Sequence, residues 1–537
     1  MTDTTLLHDL VRASALRAPD SAALSFGDAQ FSYGQLDDLI MGFANGLSSL
    51  RLPRGSRVAV YLEKRPEFVV ACFASAAAGL VFVPLNPLLK ADQIAYVLQD
   101  CEALVLVTSP ERLDALTSVL ARCAAIRHLI VTEPGMAELH TSVPVHAYAE
   151  LLRAAPAAAH RCIDNDLLSI LYTSGSTGRP KGVVLSHRNM VAGAKSVASY
   201  LENSPSDKLL AALPLSFDAG FSQLTTAFHS GAQVVLLNWL MPRDVLKALA
   251  RESITGLTAV PPLYIQLSAL EWPGAINDNL RYFANTGGRM PRQTLTALRQ
   301  RVPAAKPFLM YGLTEAFRST YLPPEEVDRR PDSIGKAIPN AEILVLRADG
   351  TECGSDEPGE LVHRGALVGM GYWGDAEKTA ERYKPLPPGV GGRESGLQLP
   401  EVAVFSGDTV RRDAEGFLYF IGRRDEMMKT SGYRVSPTEV EEVLYATGLV
   451  GECVAFGVDH PTLGQAIQVI ATAPDGRDTV AVEQLLAECK RRMPAYMVPQ
   501  GIETEVGPLP RNPNGKIDRK LLAGVWVDRR ETAPEQP

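Results

Sequence analysis

The chain has 537 residues, of which 46% are hydrophobic and 21% charged, and its formal net charge at pH 7 is −8. A single hydrophobic core stops growing at about 250–300 residues, so two or three domains are expected. The acidic balance argues against nucleic acid as a partner, and no apolar run reaches the about 18 residues of a membrane helix. Seven scattered cysteines and an N-terminus unlike a signal peptide predict a cytoplasmic protein without a disulfide framework.

From residue 56 onward, short β-rich runs alternate with helical stretches. SRVAVYLE and LVFVPLN predict buried strands, and PEFVVACFASAAAG between them predicts a helix. The same alternation returns in AQVVLLN, RDVLKALARES and ITGLTAVPP. Repeated strand–helix units are typical of parallel sheets covered by helices, so the first three hundred residues or so are predicted to form stacked, mostly parallel α/β layers.

After about residue 333 the pattern changes to strand–turn–strand. AEILVLRADGTECGSDEPGELVHRG and AVFSGDTVRRDAEGFLYFIGRRDE carry DG and EG turns, which predict an antiparallel, β-rich subdomain. The Pro- and Gly-rich stretch 384–400 is interpreted as an exposed surface loop. A short α+β unit follows from about residue 425. The predicted division is a large N-terminal domain, 1–424, and a small C-terminal domain, 425–537.

A loop rich in glycine and hydroxyl groups, ILYTSGSTGRPKGVVLSH at residues 170–187, lies between two strand-like runs. Glycine lets backbone N–H groups converge on an anion, and hydroxyl groups add donors. A flexible linker is the alternative, but a linker needs no strand on either side. The spacing is not that of GxxxxGK[ST], because Arg179 and Pro180 precede the lysine. The candidate phosphate-binding residues are Thr173, Ser174, Gly175, Ser176, Thr177, Gly178 and Lys181.

This loop resembles the signature of the adenylate-forming superfamily, the AMP-dependent synthetases and ligases that include acyl-CoA synthetases, peptide-synthetase adenylation domains and firefly luciferase. Four further segments match in order, so the resemblance covers almost the whole chain. In YGLTEA it implies that Tyr311 stacks on adenine, Thr314 contacts the α-phosphate and Glu315 binds magnesium. Taken alone, this segment also fits a strand end followed by a capped helix.

Two more segments carry implied site residues. In SGDTVRRDAEGFLYFIGRRDE, Asp408 resembles the aspartate that accepts hydrogen bonds from the ribose, and Arg423 the arginine near that sugar; the family usually has Thr where Ser406 stands. In LPRNPNGKIDRK, Lys516 resembles the catalytic lysine, and Gly287 of NTGGRMP is assigned to the nucleotide site. Without the resemblance, these residues fit a turn aspartate and solvated charges.

The resemblance further implies that the C-terminal domain is mobile. Asp425 lies where the family has its hinge residue, and Gly432 lies in the loop presented to the site after rotation. The implied enzyme converts a carboxylic acid and Mg-ATP to an acyl-adenylate and pyrophosphate. It then transfers the acyl group to a thiol, either coenzyme A or the phosphopantetheine of a carrier protein.

Two interpretations of the acyl pocket stay open. The pocket residues implied by the family are Phe217, Asp218, Phe221, Tyr264 and Gly288. SFDAG resembles the element in which an aspartate holds a substrate ammonium, so Asp218 would select an amino acid, possibly proline. Alternatively, Asp218 caps a helix and the pocket takes a fatty acyl chain. The stretches SFDAGFSQLTTAF, LMYGLTEAFRSTYLPPEEVD and RRPDSIGKAIPNAEI also resemble exosortase-associated AMP-forming acyl-CoA ligases. This narrower resemblance favours the acyl-CoA reading, an AMP-forming acyl-CoA synthetase.

Overall fold

The structure is a computed structural model that describes residues 4–133, 143–173, 180–392, 396, 398–423, 426–430, 433–460, 463–474, 479–512 and 515–531. None of the helices in these residues combines the length and apolar character that crossing a membrane requires. The α-helices are α1 (Asp9–Arg17), α2 (Tyr33–Ser49), α3 (Pro66–Ala78), α4 (Ala91–Asp100), α5 (Pro110–Leu120), α6 (Tyr148–Leu151), α7 (His187–Tyr200), α8 (Asp218–Ser230), α9 (Pro242–Arg251), α10 (Pro261–Ser268), α11 (Gly274–Asn279), α12 (Arg292–Arg301), α13 (Ala376–Arg382), α14 (Pro437–Ala446), α15 (Val482–Arg492) and α16 (Arg519–Glu531).

The strands fall into three sheets. They are β1 (Ala22–Phe26), β2 (Ala29–Ser32), β3 (Arg57–Tyr61), β4 (Val81–Pro84), β5 (Val105–Thr108), β6 (His128–Val131), β7 (Val145–Ala147), β8 (Leu167–Thr173), β9 (Lys181–Ser186), β10 (Lys208–Ala211), β11 (Gln233–Leu236), β12 (Gly256–Ala259), β13 (Tyr282–Asn285), β14 (Lys306–Tyr311), β15 (Thr320–Leu322), β16 (Ser333–Ala337), β17 (Ala341–Leu346), β18 (Gly359–Gly365), β19 (Gly371–Tyr372), β20 (Tyr383–Pro385), β21 (Val402–Arg412), β22 (Leu418–Arg423), β23 (Met428–Thr430), β24 (Tyr433–Val435), β25 (Cys453–His460), β26 (Gly464–Thr472) and β27 (Gly501–Glu505).

The first sheet joins parallel and antiparallel halves. Its order is β17-β18-β21-β22-β16-β15-β14-β13-β12-β10-β11-β1-β2, with β20 on β21. The pairs from β14 through β13, β12 and β10 to β11 are parallel, whereas those from β14 through β15, β16 and β22 to β21 are antiparallel. The predicted β-rich subdomain is therefore an antiparallel extension of the large sheet.

The second sheet, in the order β19-β9-β8-β4-β3-β5-β6-β7, packs against the first through α2, α3, α7 and α8. The largest hydrophobic cluster contains residues of both sheets and of these helices, so the main core lies between them. Helix α3 shows how the sequence sets its bounds. Pro66 fits the first turn, and Gly79 ends the helix in a left-handed conformation at φ +74°.

The C-terminal part has its own sheet, ordered β24-β23-β26-β25 with β27 on β26, and its own cores. The predicted boundary at residues 424–425 lies outside the described residues, between the end of β22 and the start of β23. It stays a prediction. The interpretation of 384–400 as an exposed loop is wrong for its first residues, because Leu386 and Val390 are buried against β17 and β18.

Candidate active site

A cleft of about 2190 Å³ is lined by residues of the large sheet and of the C-terminal part. Strands β12, β13 and β14 run parallel and end together, so the loops that follow them meet at one edge. Val260, Gly287 and Gly312 in these loops all line the cleft. Ligands of parallel sheets bind beyond the carboxyl ends of the strands, and this cleft has that position.

Tyr311 and Asp408 meet at one end of the cleft. Tyr311 is the last residue of β14, and its hydroxyl donates to Asp408 Oδ2 at 2.5 Å. Asp408 on β21 lies directly opposite Arg423 on β22, whose Nε is 3.5 Å from Oδ1. Oδ1 is buried and has no hydrogen-bond partner within the described part of the chain. A vacant buried acceptor beside an aromatic ring fits a ribose hydroxyl and a purine.

Burial raises the pKa of the Asp408 carboxyl, while Arg423, the Tyr311 hydroxyl and two further cations oppose the shift. One of these cations is Arg382, a residue that the sequence analysis missed. Its guanidinium donates to the Phe405 carbonyl at 3.2 Å and lies so close to Gly407 that a Cβ there would be 2.3 Å from Nη1. No ion pair is found for Arg382 among the described residues, and it lines the cleft. Its charge therefore faces the end of the cleft that contains Tyr311 and Asp408, which we call the nucleotide end.

The phosphate-loop prediction is only partly within the described residues. Thr173 and Lys181 are opposite each other in the antiparallel pair β8–β9, and both line the cleft. Lys181 Nζ lies 5.3 Å from the centre of the Tyr372 ring. Burial and the nearby Lys378 and Arg382 lower the pKa of Lys181, which Glu315 opposes. Of the candidate loop residues, Ser174, Gly175, Ser176, Thr177 and Gly178 lie outside the described residues.

Glu315 is suited to a magnesium ion that is also held by phosphate. It follows Thr314 in a short 3-10 helix, Thr314–Ala316, and its Oε1 accepts from the Tyr372 hydroxyl at 2.6 Å. No group of three or more His, Cys, Asp or Glu that would hold a metal alone occurs in the described residues. Magnesium needs no such group, because it binds through one or two carboxylates plus substrate phosphates. The single carboxylate therefore fits.

Lys516 reaches the cleft from the C-terminal part. Its Cε lies 3.6 Å from where a Cβ on Gly287 would stand, and Gly287 adopts φ +76°. The side chain is exposed and lines the cleft. Desolvation within the cleft, followed by the charge of Arg423, lowers the pKa of the Lys516 amine. The carboxylates of Asp408 and Asp218 oppose the shift, so Lys516 lies within electrostatic reach of both ends of the cleft.

At the other end, Phe217, Asp218 and Gly288 line the cleft, and Asp218 fits neither open interpretation completely. It is the first residue of α8, and Oδ1 accepts from the Ala219 N–H at 2.7 Å. The capping position itself belongs to Phe217. Asp218 Oδ2 pairs with the guanidinium of Arg318 at 3.4 Å. Arg318 is 2% exposed and was also missed, although a charge within the apolar stretch AFRSTYL was a usable signal.

Two predicted pocket residues do not line the cleft. Phe221 is fully buried and stacks on Phe82, with ring centres 4.9 Å apart. The Tyr264 hydroxyl donates to the backbone carbonyls of Leu257 and Ala284 at 3.0 and 2.9 Å. Both side chains point into the core because of their positions on α8 and α10, so their assignment to the pocket is corrected. Gly432 and Asp425 lie outside the described residues.

A family described as AMP-binding enzyme matches residues 11–373, and the AMP-binding enzyme C-terminal domain matches residues 439–516. An L-proline--[L-prolyl-carrier protein] ligase of Pseudomonas fluorescens is 28% identical over 96% of this chain and 99% of its own length. A long-chain-fatty-acid--CoA ligase of Escherichia coli O157:H7 is 29% identical, over 96% and 94%. Other relatives are far longer, and the chain spans only 6%, 38% and 10% of them.

Among solved structures, o-succinylbenzoate coenzyme A synthetase of Bacillus subtilis in complex with ATP and magnesium ion has a TM-score of 0.79. It is 25% identical, over 96% of this chain and 99% of that one. The predicted α/β fold with a small C-terminal α+β part is thereby confirmed.

Proposed function

We infer, from the premise that this chain belongs to the AMP-binding enzyme family, that it activates a carboxylic acid with ATP and transfers the acyl group to a thiol. The prediction of the adenylate-forming superfamily is confirmed by the two family matches. The narrower resemblance to exosortase-associated ligases is not tested by these matches and stays a prediction. A cytoplasmic location stays an expectation from the sequence.

The observation that supports the proposal most is the position of Lys516. The Lys516 amine lines the same cleft as Asp408, at the nucleotide end, and Asp218, at the other end, and the charges of both carboxylates act on it. A lysine within reach of only one end of the cleft would contact either the carboxylic acid or ATP, but not both. A lysine between the ends can contact the carboxylate of the acid and the α-phosphate of ATP together.

The chemistry requires such a cation. A carboxylate oxygen attacks the α-phosphorus, the bond to the bridging oxygen breaks, and pyrophosphate leaves. Two anions must approach, and charge accumulates on the phosphate oxygens, so fixed cations and donors accelerate the step. In our proposal Lys516 and Arg382 stabilise this charge, Thr314 donates to the α-phosphate, and Glu315 holds magnesium. The metal, when bound, neutralises phosphate charge.

We propose that the second step, thioester formation, takes place in the same cleft. A thiolate attacks the adenylate carbonyl, AMP leaves, and a thioester forms. Coenzyme A is the acceptor in the main proposal, as in the fatty acyl and o-succinylbenzoate relatives named above. We further propose that the C-terminal part rotates near Asp425 and brings the loop around Gly432 to the cleft, a hinge transition between two steps.

A second candidate, amino-acid activation for a carrier protein, is favoured by Asp218. Its carboxylate lies on the wall of the cleft and is within electrostatic reach of Lys516. An ammonium at Asp218 and a carboxylate at Lys516 would match the two charges of an amino acid. The prolyl-carrier protein ligase of similar length supports this candidate.

The test is ATP–pyrophosphate exchange with fatty, aryl and amino acids, on wild type and Lys516→Gln. Loss of Lys516 should lower the exchange rate by about a hundredfold, because one donor to the developing charge is worth about 3 kcal/mol. Lys490→Gln is the control, since Lys490 on α15 is exposed and is not among the cleft-lining residues. Exchange that is equal in both variants, or that no acid supports, would contradict the proposal.

A further inference from the structure

The position of the Lys516 amine depends on the backbone that carries it. The side chain is exposed where it lines the cleft. Because a lysine stem is flexible, its amine returns to one point in the cleft only if the stem starts from a fixed place. Residues 509–518, which we call the lysine hairpin, provide that place. The tip of the lysine hairpin, residues 513–514, lies outside the described residues.

Hydrogen bonds join the two sides of the lysine hairpin at Lys516 itself. The Asn512 N–H donates to the Lys516 carbonyl at 2.8 Å, and the Lys516 N–H donates to Asn512 Oδ1 at 3.1 Å. Next to them, Arg511 and Ile517 form an antiparallel bridge. The backbone N–H and carbonyl of Lys516 are therefore both bound by the opposite side of the hairpin, which fixes the start of the lysine stem.

Arg511 connects the lysine hairpin to the body of the C-terminal part. Its Nη1 donates to the Gly515 carbonyl at 3.1 Å, and its Nη2 pairs with Glu452 Oε1. The Gly515 carbonyl belongs to the peptide bond that joins Gly515 to Lys516. The other oxygen of Glu452, Oε2, accepts from the Leu509 N–H at 2.7 Å. One guanidinium thus bridges a carboxylate and the peptide bond directly before Lys516.

Glu452 is a firm anchor, because the sheet holds its backbone. It lies directly before β25, its N–H donates to Thr472 Oγ1 at 2.9 Å, and its carbonyl accepts from the Thr472 N–H at 2.8 Å. The side chains of Glu452 and Arg511 are 15% and 22% exposed, so the ion pair is mostly shielded from water. Charge-assisted hydrogen bonds of this kind are stronger and more directional than those of a solvated pair.

A purely structural role for the pair is the alternative. The C-terminal part, however, has two hydrophobic clusters of its own around β25, β26 and α14. A second buried arginine, Arg519, pairs there with Glu426 and Glu441. Arg511 differs from Arg519 in what it binds, because its second contact is the peptide bond before Lys516 instead of a second carboxylate. That contact favours positioning over general support of the fold.

We propose that Arg511 and Glu452 are positioning residues that hold Lys516 in place for adenylation. This inference rests on the proposed function, in which the Lys516 amine contacts both substrates. Without Glu452 the guanidinium loses its orientation, and without Arg511 the peptide bond before Lys516 is released. A displacement of about 1 Å can lower a rate by about a hundredfold. Because the two Asn512 hydrogen bonds remain, we expect a loss of about tenfold.

The experiment measures ATP–pyrophosphate exchange with the full-length protein, driven by whichever acid of the fatty, aryl and amino acid panel supports the fastest wild-type exchange. Arg511→Gln and Glu452→Gln should each lower the exchange rate by about tenfold. The matched control is Arg491→Gln, which should exchange at the wild-type rate. Arg491 also pairs with a glutamate of the C-terminal part, Glu488, but it is not among the cleft-lining residues.

The double variant Lys516→Gln/Arg511→Gln separates positioning from structural support. A residue that acts only through the Lys516 amine has nothing to position once that amine is gone. The double variant should therefore exchange within about twofold of Lys516→Gln alone, whereas independent losses would multiply to about a further tenfold. Since breaking a shielded ion pair also destabilises a protein, thermal melting accompanies each variant. If Arg511→Gln does not fold, Glu452→Gln replaces it in both arms.

The outcomes distinguish the inference from the proposed function. A loss in the single variants that disappears when Lys516 is already replaced supports the inference. Single variants that exchange at the wild-type rate, or losses that multiply in the double variant, overturn the inference and leave the proposed function intact. Lys516→Gln exchange at the wild-type rate, or exchange with no acid, overturns the proposed function and the inference with it.

Discussion

An ion pair between Arg289 and Glu442 joins the two parts of the chain at the cleft. Arg289 directly follows the Gly287–Gly288 turn, and it also donates to Asp332 at 2.5 Å. Glu442 lies on α14 in the C-terminal part. Because Lys516 belongs to that same part, the ion pair stabilises the arrangement in which Lys516 reaches the cleft. We therefore expect Glu442→Gln to destabilise this arrangement and to slow adenylation.

The size of the effect follows from exposure. The side chains of Arg289 and Glu442 are 32% and 33% exposed, so the pair belongs to the partly solvated class. Such pairs contribute about 0.2–1 kcal/mol, and their contribution falls with salt. If closure precedes chemistry, losing the pair lowers the closed population, and the adenylation rate, by about 1.4- to 5-fold at low ionic strength.

Two single-turnover measurements separate the steps. The first follows adenylate formation from acid and ATP. The second follows thioester formation from preformed adenylate and thiol. The rate of this second step should be unchanged or higher in the variant, since the ion pair no longer competes with the orientation of the C-terminal part that forms the thioester. High salt should remove most of the difference between variant and wild type in the first measurement.

Glu488→Gln is the matched control, because among the described residues Glu488 pairs with Arg491 and Arg492, which lie on the same helix, α15. The reasoning is refuted if Glu442→Gln slows both steps equally, or if it behaves like this control.

Three further changes have definite expected outcomes. Arg382→Gln should raise the KM for ATP ten- to hundredfold, since a charge-assisted hydrogen bond is worth about 1.5–3 kcal/mol, whereas Lys384→Gln, two residues away, should not. Gly287→Ala forces a Cβ into φ +76°, with Val260 Cγ1 at 3.3 Å, so adenylation should fall more than thermal stability does. For His187, burial lowers the pKa to about 4 from 6.5. The unfolded chain therefore binds the proton first, and stability is lost as pH falls from 6.5 towards 4, by about 3 kcal/mol. Between pH 7 and pH 4, the free energy of unfolding in urea should fall less for His187→Asn than for wild type. An equal fall in both proteins would refute the assignment to His187.

Local patterns were enough for much of the fold. The apolar run before Gly79 predicts α3 because helix bounds depend on nearby residues, and the flanks of the glycine-rich loop predict β8 and β9 as anchors. Tyr311 was reached only through the family resemblance of YGLTEA, because that segment by itself also fits a strand end followed by a capped helix. What the sequence left open was the direction of individual side chains.

Phe221 and Arg382 show the two ways in which sequence reasoning fails at the site. Phe221 is three residues from Asp218 on α8, and only the packing of that helix on α3 and β4 decides that it points into the core. Arg382 looks like a surface arginine at a helix end. Its role depends on β21 passing beneath it, where Gly407 leaves room for the guanidinium. Both facts are long-range, so no local pattern contains them.

The role of Asp218 in the cleft also depends on a contact that is distant in the sequence. From the sequence, it was either a helix cap or an ammonium anchor, and each role treats the carboxylate as an isolated group. Its partner, Arg318, is one hundred residues away in the chain and buried. A buried cation beside an aspartate changes which ligand the aspartate favours, because the pair is already balanced in charge and only hydrogen bonds remain to be satisfied. The acid that this cleft accepts is therefore determined by the pair, and a substitution of either residue changes the other.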